Sequence, residues 1–152
     1  MGETNQLGEN PANPSTKNKG STKAGENNQF IYPLAAMRPI EAGAAEGMER
    51  YADTTAVVIE GERVQVGLAF EKAGCGSEPH SHPNEQFNFV LQGTFRVKIG
   101  DGDEVLAPKG SLVYFPPNVI HSSVALPGED GQFFVVKDLA HGIVGIKANK
   151  NT

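Results

Sequence analysis

The sequence predicts an all-β domain, a sandwich or barrel, on three observations. Residues alternate with period two: Val64, Val66, Leu68 and Phe70 interleave with Gln65, Gly67 and Ala69, and Phe95, Val97 and Ile99 with Arg96 and Lys98. Short runs rich in β-branched and aromatic residues recur at TAVVI (55–59), SLVYF (111–115) and QFFVV (132–136). Turn signals separate these runs, among them Glu60-Gly61-Glu62, Gln92-Gly93, Gly100-Asp101-Gly102, Pro116-Pro117-Asn118 and Pro127-Gly128. Side chains project to opposite faces of a pleated strand in turn, so alternation of this kind marks strands.

Taken in chain order, residues 1–29 come first and differ from the rest. They are almost wholly Asn, Thr, Ser, Gly, Lys, Glu and Pro. Such a composition buries too little apolar surface to offset its ordering entropy, which predicts a disordered polar tail. The folding unit is expected over 30–146, with a second polar tail at 147–152. Only EAGAAEGMER (41–50) reads as helical, and its two glycines weaken that reading. The strands named above follow. QFNFVL begins another at Gln86, and His121 opens one after Pro116-Pro117-Asn118.

A length of 152 residues bounds the chain to one ordinary domain. The formal net charge of −5, with no basic cluster, argues against nucleic-acid and anionic-membrane partners. The single cysteine, Cys75, excludes an intrachain disulfide and any multi-cysteine metal site. No apolar run has the length of a membrane helix, and no apolar segment of a secretory signal stands in 1–29. A cytoplasmic protein is the expectation.

The chemistry-bearing stretch is Glu78-Pro79-His80-Ser81-His82. Residues i and i+2 of a strand share a face, so two imidazoles can converge on one cation. Further donors of matching parity are Gln86 and, downstream, His121. Here the chain resembles the cupin family. The first motif of that family appears as Gly74, five residues, His80-Ser81-His82, three residues, Gln86, six residues, Gly93. The second appears as Gly110, five residues, Pro116, Asn118 in the glycine position, His121, and Ala125 in the asparagine position. The resemblance spans about residues 55–137. It implies a double-stranded β-helix, the cupin jelly-roll barrel, with one divalent metal held by His80, His82, Gln86 and His121.

Most cupins carry Glu where this chain has Gln86. Glu85 is adjacent but has the opposite parity and is expected to point away. An amide keeps the oxygen donor and removes a negative charge, leaving the cation more Lewis-acidic. Imidazole plus amide oxygen suits Zn, Ni, Fe, Mn or Co. Asp138, Glu78 and Asn88 are candidate catalytic groups: Glu78 shares parity with His80, Asn88 shares parity with Gln86, and Asp138 lies with Lys137 on the last barrel strand. Each also has an ordinary structural reading, as do His141, a candidate surface-loop histidine, and Cys75.

The resemblance is to small cupins that linearise unsaturated uronates in pectin and alginate breakdown, and to zinc cupin polyketide cyclases. It implies a metal-dependent lyase or isomerase acting on a small oxygen-rich molecule such as a sugar acid or keto/enol carboxylate. The alternatives are a non-haem iron dioxygenase and a non-catalytic module that binds a small ligand. Phe87, Phe89 and Leu91 face outward if Gln86 faces inward. An apolar patch of that kind predicts a homodimer.

Overall fold

The computed structural model describes residues 16–44, 47–139 and 145–149. Twelve strands follow in chain order: β1 (Thr22–Lys23), β2 (Ile40–Glu41), β3 (Thr55–Glu60), β4 (Val64–Glu71), β5 (Gly76–Ser81), β6 (Gln86–Gln92), β7 (Thr94–Ile99), β8 (Val105–Pro108), β9 (Leu112–Phe115), β10 (His121–Ala125), β11 (Gly131–Asp138) and β12 (Ile146–Lys147). One sheet has the order β1-β3-β4-β11-β6-β9, with β2 also on the edge of β3; the other has the order β12-β5-β10-β7-β8. Apart from the parallel β1–β3 pair, every pairing is antiparallel. This is the all-β architecture that alternation predicts, in the two-sheet double-stranded β-helix form that the resemblance implies.

A compact core fills one part of the barrel. Ala56, Val58, Ala69, Val90, Phe95, Val97, Phe115 and Phe133 are buried together, with the rings of Phe95 and Phe133 edge to face at 5.4 Å. The β6–β7 turn is set by Gly93, at φ 77°. A Cβ there would stand 2.9 Å from the Asp130 carbonyl oxygen, so backbone occupies the space of any side chain.

The inward face of β4 is not its apolar one. Gln65, Gly67, Ala69 and Glu71 are the residues that pair with inward Lys137, Val135, Phe133 and Gly131 of β11. Leu68 faces the other way with Val57 and Ile59 of β3, yet all three are buried. The 3-10 turn Leu34–Ala36 packs against β4.

Two expectations are corrected here. Residues 16–24, expected within the disordered tail, lie against the sheet, while 25–29 are exposed. Asn18 and Ser21 are buried, and β1 pairs with Ile59 and Glu60. The backbone N–H groups of Lys17 and Asn18 donate to the Glu60 carboxylate at 2.9–3.3 Å. Polar composition misleads because this segment docks through backbone hydrogen bonds rather than apolar side chains. Residues 1–15 lie outside the described residues. The helix expected at 41–50 is absent among its described residues: Glu41 ends β2 and Ala42 is bonded to Thr54. A Cβ on Gly43 would stand 1.9 Å from the Ala52 carbonyl oxygen, a backbone approach that fixes an extended path.

Outward Phe87 and Phe89 of β6 are 38% and 42% exposed, and their β9 neighbours Tyr114 and Leu112 are 42% and 65% exposed. No described segment of 31–50 buries them.

Candidate metal centre

Three histidines come together from two strands of one sheet and the loop after one of them. His80 is near the end of β5 and His121 begins β10; the two are register partners. His82 lies just past β5. Their ligand nitrogens all fall within 4.8 Å of one another. The ring centroids of His80 and His82 are 4.4 and 4.8 Å from that of His121.

Each ring is held by a backbone carbonyl two residues away. His80 Nδ1 lies 2.7 Å from Glu78 O, His82 Nδ1 3.1 Å from Asn84 O, and His121 Nδ1 2.8 Å from Val119 O. A carbonyl only accepts, so each Nδ1 carries the proton and each Nε2 keeps a lone pair. A carbonyl behind each Nδ1 fixes the tautomer and turns Nε2 toward a shared point, as in metal-binding imidazoles. His82 Nε2 is buried and has no hydrogen-bond partner among the described residues. A buried acceptor of this kind, in a cluster of three, fits a cation.

Asn118 explains the departure in the second motif. Its φ is 61°, the left-handed region where glycine is favoured and Asn is the best-tolerated alternative. Its N–H donates to His82 O at 2.8 Å, tying the two motifs together.

Gln86 lines the same cavity and is buried. Its Nε2 donates to Asn88 Oδ1 at 2.7 Å, which leaves Oε1 as the end available to a cation. Asn88, one of the catalytic candidates, is therefore placed as the residue that orients Gln86.

Electrostatics keep the cluster neutral. Burial, as the leading cause, pushes His80 down to about 3, His82 to about 2 and His121 to about 4. The charge of Lys137 adds to the lowering at all three. Tyr51 stacks on His80 at 4.1 Å and 17°, and its burial pushes the phenol up to about 12.

The cavity, of about 80 Å³, is also lined by Gln65, Glu71 and Lys137. Burial raises the Glu71 carboxyl to about 7, opposed by the Thr54 hydroxyl that donates to it. Burial lowers Lys137 to about 7. Glu71 escapes motif reading because it lies upstream of both motifs. Its signal is parity: it continues the series Gln65, Gly67, Ala69.

Other candidates fall outside the cavity. The Asp138 side chain points away from Lys137 by strand parity, and its carboxylate accepts the Glu85 N–H at 2.7 Å. Glu78 is exposed and pairs with Lys147 at 2.7 Å. A bulge causes this: between the His121–His80 and Ser123–Ser77 pairs the register shifts, so Ser77 rather than Glu78 lines the cavity with His80. Glu85 points outward as expected and accepts the Tyr114 hydroxyl at 2.9 Å. His141 lies outside the described residues.

Residues 68–137 match the cupin domain family. No curated protein matches the chain at a significant level. Among solved structures, the polyketide cyclase RemF from Streptomyces resistomycificus is similar at TM-score 0.59 and 21% identity, over 73% of this chain and 80% of that one. A cupin-like protein from Thermotoga maritima is similar at TM-score 0.57 and 21% identity, over 66% of this chain and 80% of that one. KdgF from a Halomonas species is similar at TM-score 0.51 and 20% identity, over 57% and 78%. Likeness at these identities is likeness of fold.

Proposed function

We propose that this chain, in which residues 68–137 match the cupin domain family and three histidines form a cluster able to coordinate a divalent metal, is a metal-dependent enzyme. Its substrate is a small oxygen-rich molecule, a sugar acid or keto/enol carboxylate, and its reaction is of the lyase or isomerase type. One observation supports the reading: three buried imidazoles, each with Nδ1 tied to a carbonyl, converge, and Gln86 rather than a carboxylate lines the cavity with two of them.

His80, His82, His121 and Gln86 would hold the cation. All four donors are neutral, so its full charge is retained. When bound, such a cation supplies Lewis acidity that stabilises negative charge growing on a substrate oxygen. The protein's own groups do the rest. Asn88 keeps the Gln86 amide oriented. Tyr51 stacks on His80 and retains its proton. Glu71, raised to about 7 by burial, lines the same cavity and is held by the Thr54 hydroxyl. Phe115, 4.5 Å from His121, walls the histidine end against water. The similarity to RemF, a cyclase, supports the scaffold as a host for chemistry of this class.

The test is solvent deuterium exchange next to the carbonyl of enolisable keto acids, followed by NMR under nitrogen with metal-loaded protein. Exchange that vanishes in His82→Ala supports the reading. Turnover that needs O₂ would establish a dioxygenase instead, and metal binding without exchange or turnover a binding module.

A further inference from the structure

Lys137 and Gln65 are register partners on β11 and β4, both buried, and both line the cavity that His80 and His121 line. The Lys137 side chain makes no ion pair or hydrogen bond among the described residues, and the neighbouring Asp138 is the charge that favours its protonated form. Its neighbours across the sheet are Gln65 on one side and Gln86 on the other, both uncharged. On β3, Glu60 sits opposite Gln65 rather than Lys137, and its oxygens accept the Lys17 and Asn18 N–H groups. Gln65 is held from behind: Asn18 Nδ2 donates to its Oε1 at 2.8 Å. That leaves Gln65 Nε2 buried and without a partner among the described residues.

A buried amine, costly to protonate without a counter-charge, and a buried amide donor without an acceptor are both unfavourable. Side by side, they offer N–H groups to one acceptor group with two oxygens. A carboxylate satisfies both, and charge-assisted hydrogen bonds of this type are the strong ones. The proposed ligand set reinforces the choice of sign, since three imidazoles and an amide leave a bound cation uncompensated.

We infer that Lys137 and Gln65 form a carboxylate anchor, so that the cavity selects small organic anions bound with the carboxylate on this pair and the remainder toward the histidine end. Asn18 is a positioning residue for the anchor, acting through Gln65. The inference deepens the proposed function by naming the group that the substrate must carry.

The experiment is calorimetric titration of the full chain with pyruvate and with its uncharged amide, in metal-loaded and metal-free protein. Wild-type protein is expected to bind pyruvate about tenfold or more tighter than the amide. Lys137→Met should lose that preference while holding wild-type metal content and binding the amide within about twofold. Gln65→Met, which changes no charge, should weaken pyruvate about fivefold. The preference should persist without metal, because the anchor belongs to the chain. Equal affinity for the two probes, no saturable binding of pyruvate, or a preference that survives in both variants would overturn the anchor. Absence of metal from the wild-type protein would count against the proposed function and leave the metal-free titration to decide the anchor.

Discussion

Removing residues 1–29, so that the chain begins at Phe30, takes away the two backbone N–H groups that meet the Glu60 carboxylate. Glu60 is 1% exposed, so this is a buried charge losing its partners. Hydrogen bonds to charged groups contribute about 1.5–3 kcal/mol each, and stripping a buried charge of its partner costs about 3–5 kcal/mol. Truncation also admits water to the carboxylate, which moves the expected loss to the lower end, about 3 kcal/mol. For a domain of this size each kcal/mol corresponds to roughly 3–4 °C in Tm, giving a fall of about 10 °C. Thermal unfolding followed by circular dichroism reads this, with a chain lacking only residues 1–15 as reference. Asn18→Ala, which deletes the bond to Gln65 but keeps the backbone donors, should lose only about 1 kcal/mol. The reasoning fails if the Phe30 start melts within about 2 °C of the reference.

Glu71 is raised from its ordinary value to about 7, so ionising it opposes folding. The native state holds this proton more tightly than the unfolded chain; the penalty grows from about pH 4.5 and is complete above about pH 7. Glu71→Gln should therefore melt close to wild type at pH 4.5 and higher than wild type at pH 8, by a few kcal/mol at most; an unchanged difference across that range refutes the shift. Gln86→Glu should keep its metal, since an oxygen donor remains, while slowing deuterium exchange because the added charge weakens the Lewis acid; equal exchange rates would remove the charge argument. The exposed rings of Phe87, Phe89 and Tyr114 form a face that we expect to pair in a homodimer. Light scattering should return about twice 16.2 kDa, and Phe89→Lys should shift it to the monomer; a wild-type monomer at micromolar concentration contradicts the pairing.

Much of the barrel is legible in the sequence because period-two alternation and turn residues act locally. The runs at 55–59, 64–70, 95–99 and 132–136 each became a strand, with bounds shifted by a residue or so. The histidine cluster is legible through parity and spacing. What escapes is what depends on distant partners. Alternation on β4 marks a strand but not its inward face. The polar residues Gln65 and Glu71 line a cavity, and outward Leu68 is buried on the opposite face. The docking of Lys17 and Asn18 on Glu60 rests on backbone groups separated by more than 40 residues, which composition does not encode. Parity promoted Glu78 to the site because a one-residue bulge in β5 leaves no mark in its sequence. On β11 the same rule separates Lys137, inward, from Asp138, outward.

The central claim is that His80, His82 and His121, with Gln86, hold one divalent cation. Metal content by plasma mass spectrometry, on protein purified without chelator and then loaded and desalted, tests it most directly. The account predicts one transition metal per chain in the wild type and near-complete loss in His82→Ala, whose Nε2 is the buried acceptor without a partner. A wild type that retains no Zn, Ni, Fe, Mn or Co after loading, or a folded His82→Ala with full occupancy, would contradict it.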